Sequence, residues 1–280
     1  MNPLDLRPLT LGEILDRTFT MFRRHFPLWV GITAVPQLLA LAVELMRTFW
    51  EGPKGTSLNL GFSLAALLFS VVVLLVAIIA ALFGQAATFL AVNDFYLNRP
   101  VSVSECLRRA WREIGTVFGV GLLNALAVIA GLIALIIPGI YILCRTIVSV
   151  PAALVEQRGP SDALSRSWKL TRGQASRAFV MFLLYFVLSI AAGLLFQLPL
   201  TIATAVYKHN AGVLQVWTAL TQVGDAIVNI VVSPILLIAT SIFYFDLRVR
   251  KEGFDLQFML DPNSERVIPP SAGSVPSILS

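Results

Sequence analysis

Between Phe26 and Leu247 the chain carries apolar runs far longer than the helices of a water-soluble core require, and that feature dictates the fold class. A bilayer core about 30 Å thick takes about 20 apolar residues per helical crossing. A backbone inside it must satisfy its own hydrogen bonds, as an α-helix does. With 57% hydrophobic and only 13% charged residues, the chain reads as an all-α integral membrane protein. Runs at about 26–46, 58–97, 115–137, 140–155, 178–206 and 213–247 predict six transmembrane helices within a membrane domain covering 1–258. Pro36 should kink the first without ending it. The second exceeds one crossing at about 1.5 Å per residue, so it must tilt, break near Gly84, or project beyond the membrane; projection into the cytoplasm is expected. Pro138-Gly139 is expected to form the tight turn between the third and fourth. Residues 259–280, rich in Pro and Ser, are expected to be a disordered cytoplasmic tail.

Basic residues orient such a chain, because short loops rich in Lys and Arg stay cytoplasmic. Arg7, Arg23, Arg99, Arg112, Arg172 and Arg250 fall on one side with many others, against Arg47, Lys54 and Lys208 on the other. Both termini are therefore expected in the cytoplasm, with the protein in the inner (plasma) membrane. The sequence pI of about 9.6 is read as this orienting charge, and no nucleic-acid partner is inferred. The first 24 residues carry Asp5, Glu13 and Asp16 without a cleavage pattern, so they are not read as a signal peptide. Cys106 and Cys144 are expected near opposite faces, which implies no disulfide. His25 and His209 are likewise expected on opposite faces, and no metal, cofactor or catalytic spacing is found; the expectation is a protein that is not an enzyme.

A polar, basic phrase is written three times ahead of odd-numbered runs. Its pattern of acid, Leu, Arg and aromatic at alternate positions is Glu13-Leu15-Arg17-Phe19, Glu105-Leu107-Arg109-Trp111 and Asp162-Leu164-Arg166-Trp168. Thr10 with Glu13 and Ser102 with Glu105 have the spacing of a capping box, which marks a helix start. Leu15, Phe19 and Phe22, like Leu107, Trp111 and Ile114, recur at helical spacing and predict amphipathic helices. The expected architecture is three units, each a cytoplasmic-side interfacial helix followed by a membrane hairpin. Such helices favour anionic headgroups without needing a dedicated pocket; the plainer reading, preferred over a specific lipid site, is that they set topology and seal the bundle's cytoplasmic end. Acids recur at the ends of the even runs: Asp94, Glu156 and Asp246.

Inside the runs, Arg145 follows the Pro-Gly by six residues, and an unpaired guanidinium there is costly. Glu44 and Asp225 are the acids expected at comparable depth, completing a candidate intramembrane charge cluster. Asn124, Gln222 and Asn229 add polar groups.

The phrases "RPLTLGEILDRTF", "PGIYILCRTIVSVPAALVE", "SDALSRSWKLTRG" and "YFDLRVRKEGFDL" together resemble the bacterial family known as the glycerophosphoryl diester phosphodiesterase membrane domain. In some relatives that domain precedes a phosphodiesterase barrel of about 250 residues, for which no sequence is present here. The resemblance implies membrane architecture and not hydrolysis. The function expected is a non-enzymatic organiser of membrane lipids, or a scaffold for a protein partner at the cytoplasmic face. The alternative is a small transporter or channel with a polar site around Arg145.

Overall fold

The computed structural model describes residues 8–51, 60–97, 99–207 and 210–252, and among these no strand occurs. The helices are α1 (Leu11–Arg24), α2 (Phe26–Glu51), α3 (Leu60–Tyr96), α4 (Val103–Ala134), α5 (Ile136–Thr146), α6 (Ser149–Glu156), α7 (Pro160–Leu170), α8 (Ala175–Phe196), α9 (Leu198–Val206) and α10 (Ala211–Glu252). Six stretches are long and apolar enough to cross a membrane: Phe26–Trp50, Leu67–Tyr96, Val103–Ala134, Ile136–Glu156, Ala175–Phe196 and Gly212–Glu252. The expected tail at 259–280 lies outside the described residues.

Pro36 sits within an unbroken α2, as expected. Its ring packs on α3 at Gly84, where an added Cβ would come 3.1 Å from Pro36 Cγ. Gly84 thus admits a neighbour and does not break α3, which runs unbroken for 37 residues. Its last turns carry the buried Phe89, Leu90, Val92 and Asp94. The fifth run, by contrast, is divided at Gln197 into α8 and α9.

The turn expected at Pro138-Gly139 falls instead at Leu135, an extended residue (φ −172°, ψ 156°) between α4 and α5. Pro138 lies in the first turn of α5, where a missing N–H costs nothing because the helix offers it no acceptor. Gly139 has a different task. With Gly131 it lets α4 and α5 approach until a Cβ on Gly131 would stand 2.9 Å from Gly139 Cα. The fourth run is also interrupted, at Ile147–Val148 between α5 and α6.

Packing divides the bundle along its length. At one end, here called the base, Trp29, Ile32, Val117, Leu170, Met181 and Ile242 are buried in one core, and α10 from Ile238 to Val249 is buried at every position. Towards the other end the helices present large apolar side chains outward, among them Leu68, Leu74, Phe186, Leu195 and Ile227. A surface of that kind belongs in hydrocarbon.

Substituting Val for Gly139 should destabilise by about 1–3 kcal/mol through overpacking against Leu132, measured by thermal unfolding in detergent. Gly115→Ala, where a Cβ meets nothing within 4 Å, should be neutral or slightly stabilising.

Candidate functional site: the charged base of the bundle

Three carboxylates near the ends of α3, α6 and α10 are almost wholly buried, their side chains 5% (Asp94), 1% (Glu156) and 0% (Asp246) exposed. A buried carboxylate survives only when paired and hydrogen-bonded, and two of the three find a partner in the polar segment that opens the next stretch of chain. Asp94 accepts from Arg109 of α4 at 2.7 Å. Glu156 accepts from Arg166 of α7 through both oxygens at 2.9 Å, from Arg158 at 2.6 Å, and from the Tyr244 hydroxyl at 3.0 Å.

The third acid returns to the beginning of the chain. Asp246 accepts the Leu9 amide at 2.7 Å, just ahead of α1, together with Arg177 at 2.8 Å and Arg250 at 3.0 Å. Arg177 and Arg250 both donate in turn to the Leu9 carbonyl. Arg166 also pairs with Glu252. Burial alone would work against the Arg166 cation, but its bonds to Glu156 and Glu252 outweigh that, and its pKa is held above the ordinary guanidinium value.

The repeated phrase therefore contributes its arginines as joints. Arg17 of the first copy is hydrogen-bonded to Tyr96, whose ring stacks on Phe245 at 4.4 Å. The capping box at Thr10 and Glu13 forms, with bonds of 2.7 and 3.3 Å. The one expected at Ser102 and Glu105 does not: Glu105 pairs with Arg108 at 2.6 Å, and Ser102 contacts Ser104. Asp162 stands in the first turn of α7, where a negative charge suits the helix dipole.

The buried face of the three copies is not the one that the large residues suggest. Phe19 is half-buried, Trp111 is 66% exposed, and the buried stripe runs one position later than the acid and one later than the Arg. It consists of Ile14 and Thr18, Cys106 and Ala110, and Ala163 and Ser167, with Phe22, expected on the apolar face, continuing it in α1. Small residues let these helices lie close against the core. The i, i+4 spacing was visible in the sequence, but Thr, Ala and Ser carry no hydropathy signal. Arg177, Tyr244 and the Leu9 backbone were also missed, because each joins the site across more than 65 residues of chain.

The cluster of Arg145 with Glu44 and Asp225 does not form. Arg145 lies near the end of α5 against α7, its guanidinium 4.9 Å from the Trp168 ring centroid and 5.8 Å from that of Tyr141. Its carbonyl accepts from Ser167 and Thr171 at 2.8 and 3.0 Å. Its charge acts directly on Lys251, and Lys251 is separated from Asp225 by 26 residues of α10, about 39 Å of helix. The expected depth was counted from a turn at Pro138-Gly139, whereas the turn falls at Leu135, ten residues before Arg145. Glu44 and Asp225 do lie together, close enough to interact electrostatically, with Arg47 beside Glu44. Cys144, expected near the far face, adjoins Arg145; it and Cys106 are free and buried.

A separate cavity of about 320 Å³ opens among α3, α4, α5, α6, α8 and α10, with Gln85, Asn124, Thr146, Ser149 and Thr240 on its walls. Asn124 donates to Ser149 at 2.6 Å, while its buried side-chain oxygen has no partner. Arg145 does not line this space. Among the described residues no three His, Cys, Asp or Glu side chains are grouped to hold a metal.

No family model, curated protein or solved structure matches this chain.

Removing one side of a buried pair leaves the other charge stranded, a loss of about 3–5 kcal/mol. Arg166→Met should therefore unfold at markedly lower temperature than wild type, and Arg166→Met with Glu156→Gln should regain much of the loss. Additive losses in the double variant would show the pair to be uncoupled.

Proposed function

We propose that this chain is a non-enzymatic integral membrane protein of the inner (plasma) membrane that organises an anionic lipid environment around its base, with the base and both termini in the cytoplasm. On this reading α1, the start of α4, and α7 are interfacial helices, each heading one of three helix-plus-hairpin units, and the base also offers a surface to a protein partner. The observation that carries it is the division of charge. The base consumes Asp94, Glu156 and Asp246 internally, while Arg23, Arg24, Arg99, Arg108, Arg112 and Arg172 are exposed around the same end. Exposed Trp111 stands among them, its ring edge-on to Phe83 at 6.0 Å.

Aromatic rings at that level suit the boundary between acyl chains and headgroups, and each nearby cation attracts an anionic leaflet by about 1 kcal/mol. The positive-inside bias supports the orientation. The resemblance to the glycerophosphoryl diester phosphodiesterase membrane domain agrees, since it implies architecture and not hydrolysis.

A second reading, a small transporter or channel, is favoured by one observation: the 320 Å³ cavity with its unpartnered Asn124 oxygen. It no longer draws on Arg145, which aromatic rings cover.

The test is reconstitution in nanodiscs of phosphatidylcholine with about one-fifth phosphatidylglycerol, followed by release and native mass spectrometry of retained lipid. Retained lipid should be enriched in phosphatidylglycerol over the bulk ratio. Retention in the bulk ratio would contradict the proposal.

A further inference from the structure

Arg145 is only 7% exposed, yet among the described residues no carboxylate neutralises it and its Nε has no hydrogen-bond partner. Almost every other buried charge at the base is paired, so this one stands out. It also has cationic company. Lys251, whose ammonium donates to the carbonyls of Lys169 and Arg172 at 2.8 and 2.9 Å, lies under the direct influence of both the Arg145 and Arg172 charges.

Three cations this close repel one another, and among the described residues no carboxylate pairs with them. An anion would. Beside them the surface turns apolar, with Tyr141 half exposed and Leu143 on the outward side of α5. Trp168 and Tyr141 hold the guanidinium in place through their ring faces.

We propose that Arg145, Arg172 and Lys251 form a binding site for the phosphate of an anionic phospholipid, whose acyl chains run along Tyr141 and Leu143. The proposal rests on the lipid-organising reading and assigns it a location. Arg145 and Lys251 approach from different helices, so a phosphate oxygen between them receives charge-assisted bonds from the unpartnered Arg145 guanidinium and from the ammonium proton that Lys251 does not give to a carbonyl. A free phosphate would meet the same cations, but only a lipid also covers the apolar strip.

The experiment compares wild type, Arg145→Gln and Arg172→Gln in nanodiscs, titrating phosphatidylglycerol against a phosphatidylcholine background and reading retained lipid and unfolding temperature. Each variant should weaken phosphatidylglycerol binding about tenfold, the loss of one charged hydrogen bond. Arg47→Gln, beside Glu44 in the half of the bundle away from the base, should leave it unchanged. Arg172 is exposed, so its variant tests the site even if Arg145→Gln folds poorly. Inorganic phosphate added to phosphatidylcholine discs should not reproduce the stabilisation; if it does so in full, the lipid assignment is overturned. Wild-type affinity retained by Arg172→Gln overturns the site alone, whereas wild type without anionic-lipid enrichment overturns the broader reading.

A different observation concerns the α4–α5 hairpin. From Ala125 to Ile140 it carries no polar side chain, and Ile133 and Ile137 at its tip are 82% and 81% exposed. α5 has 11 residues, about 16 Å of helix, or half the hydrocarbon thickness. We infer that this hairpin is re-entrant, leaving the base and turning inside the bilayer. The one-residue turn suits that setting: Leu135 donates to Gly131 and Gly139 to Leu135, and Pro138 brings no donor to satisfy.

In a background with Cys106→Ala and Cys144→Ala, Ile137→Cys should resist an impermeant maleimide from both sides until the membrane is dissolved, while Tyr207→Cys labels readily. Labelling of Ile137→Cys from the same side and at the same rate as Tyr207→Cys would show that the hairpin crosses fully.

Discussion

The structure depends on three buried carboxylates that cannot be left alone. Asp94, Glu156 and Asp246 terminate apolar helices at the base, where water is excluded and a lone charge would cost several kcal/mol. Each is paired across the chain: Arg109 reaches one oxygen of Asp94 and Arg166 reaches Glu156 from the helices that follow, and Asp246 reaches back to Leu9 ahead of α1. The last joint therefore ties the end of the bundle to its beginning. Because α10 is buried from Ile238 to Val249, the joints at Tyr244, Asp246 and Glu252 also fix where α6, α7, α8 and the start of α1 meet it.

That arrangement accounts for the contrast between the two ends. At the base, apolar burial and ion pairs act on the same residues, so small shifts in any helix would break a charged contact. Farther along, helices meet through neutral bonds such as Gln222 to Thr48 and Thr33 to the Ile230 carbonyl, at 2.7 and 3.0 Å, and much of their surface faces outward. There is no hydrophobic gain from moving such surface out of lipid. Anchoring at one end and adaptable packing at the other is a consequence of which end carries the charges.

Much of this was legible in the sequence, for physical reasons. Run length and apolarity identify six candidate crossings because the bilayer sets both. The triple phrase and the three terminal acids could be read as sets, but not as partners for one another, since nothing local says that Asp94 meets Arg109 or that Asp246 meets Leu9. Turn position failed at Leu135 because Pro-Gly is a strong turn signal that a helix's first turn tolerates equally well. The depth of Arg145 failed with it. The buried stripe of Thr18, Ala110 and Ser167 was hidden because close helix packing selects small residues, which a search for large apolar side chains passes over.

The central claim is that the carboxylates of the base, and not those of the far half, hold the fold. Thermal unfolding of Asp246→Asn beside Asp225→Asn, in the same detergent, tests it most directly. Asp246→Asn strips the charge from two arginines and weakens the tether on Leu9, and should cost on the order of 3–5 kcal/mol. Asp225→Asn removes a carboxylate that lies beside Glu44 and should cost far less. Equal losses, or a larger loss for Asp225→Asn, would contradict the account.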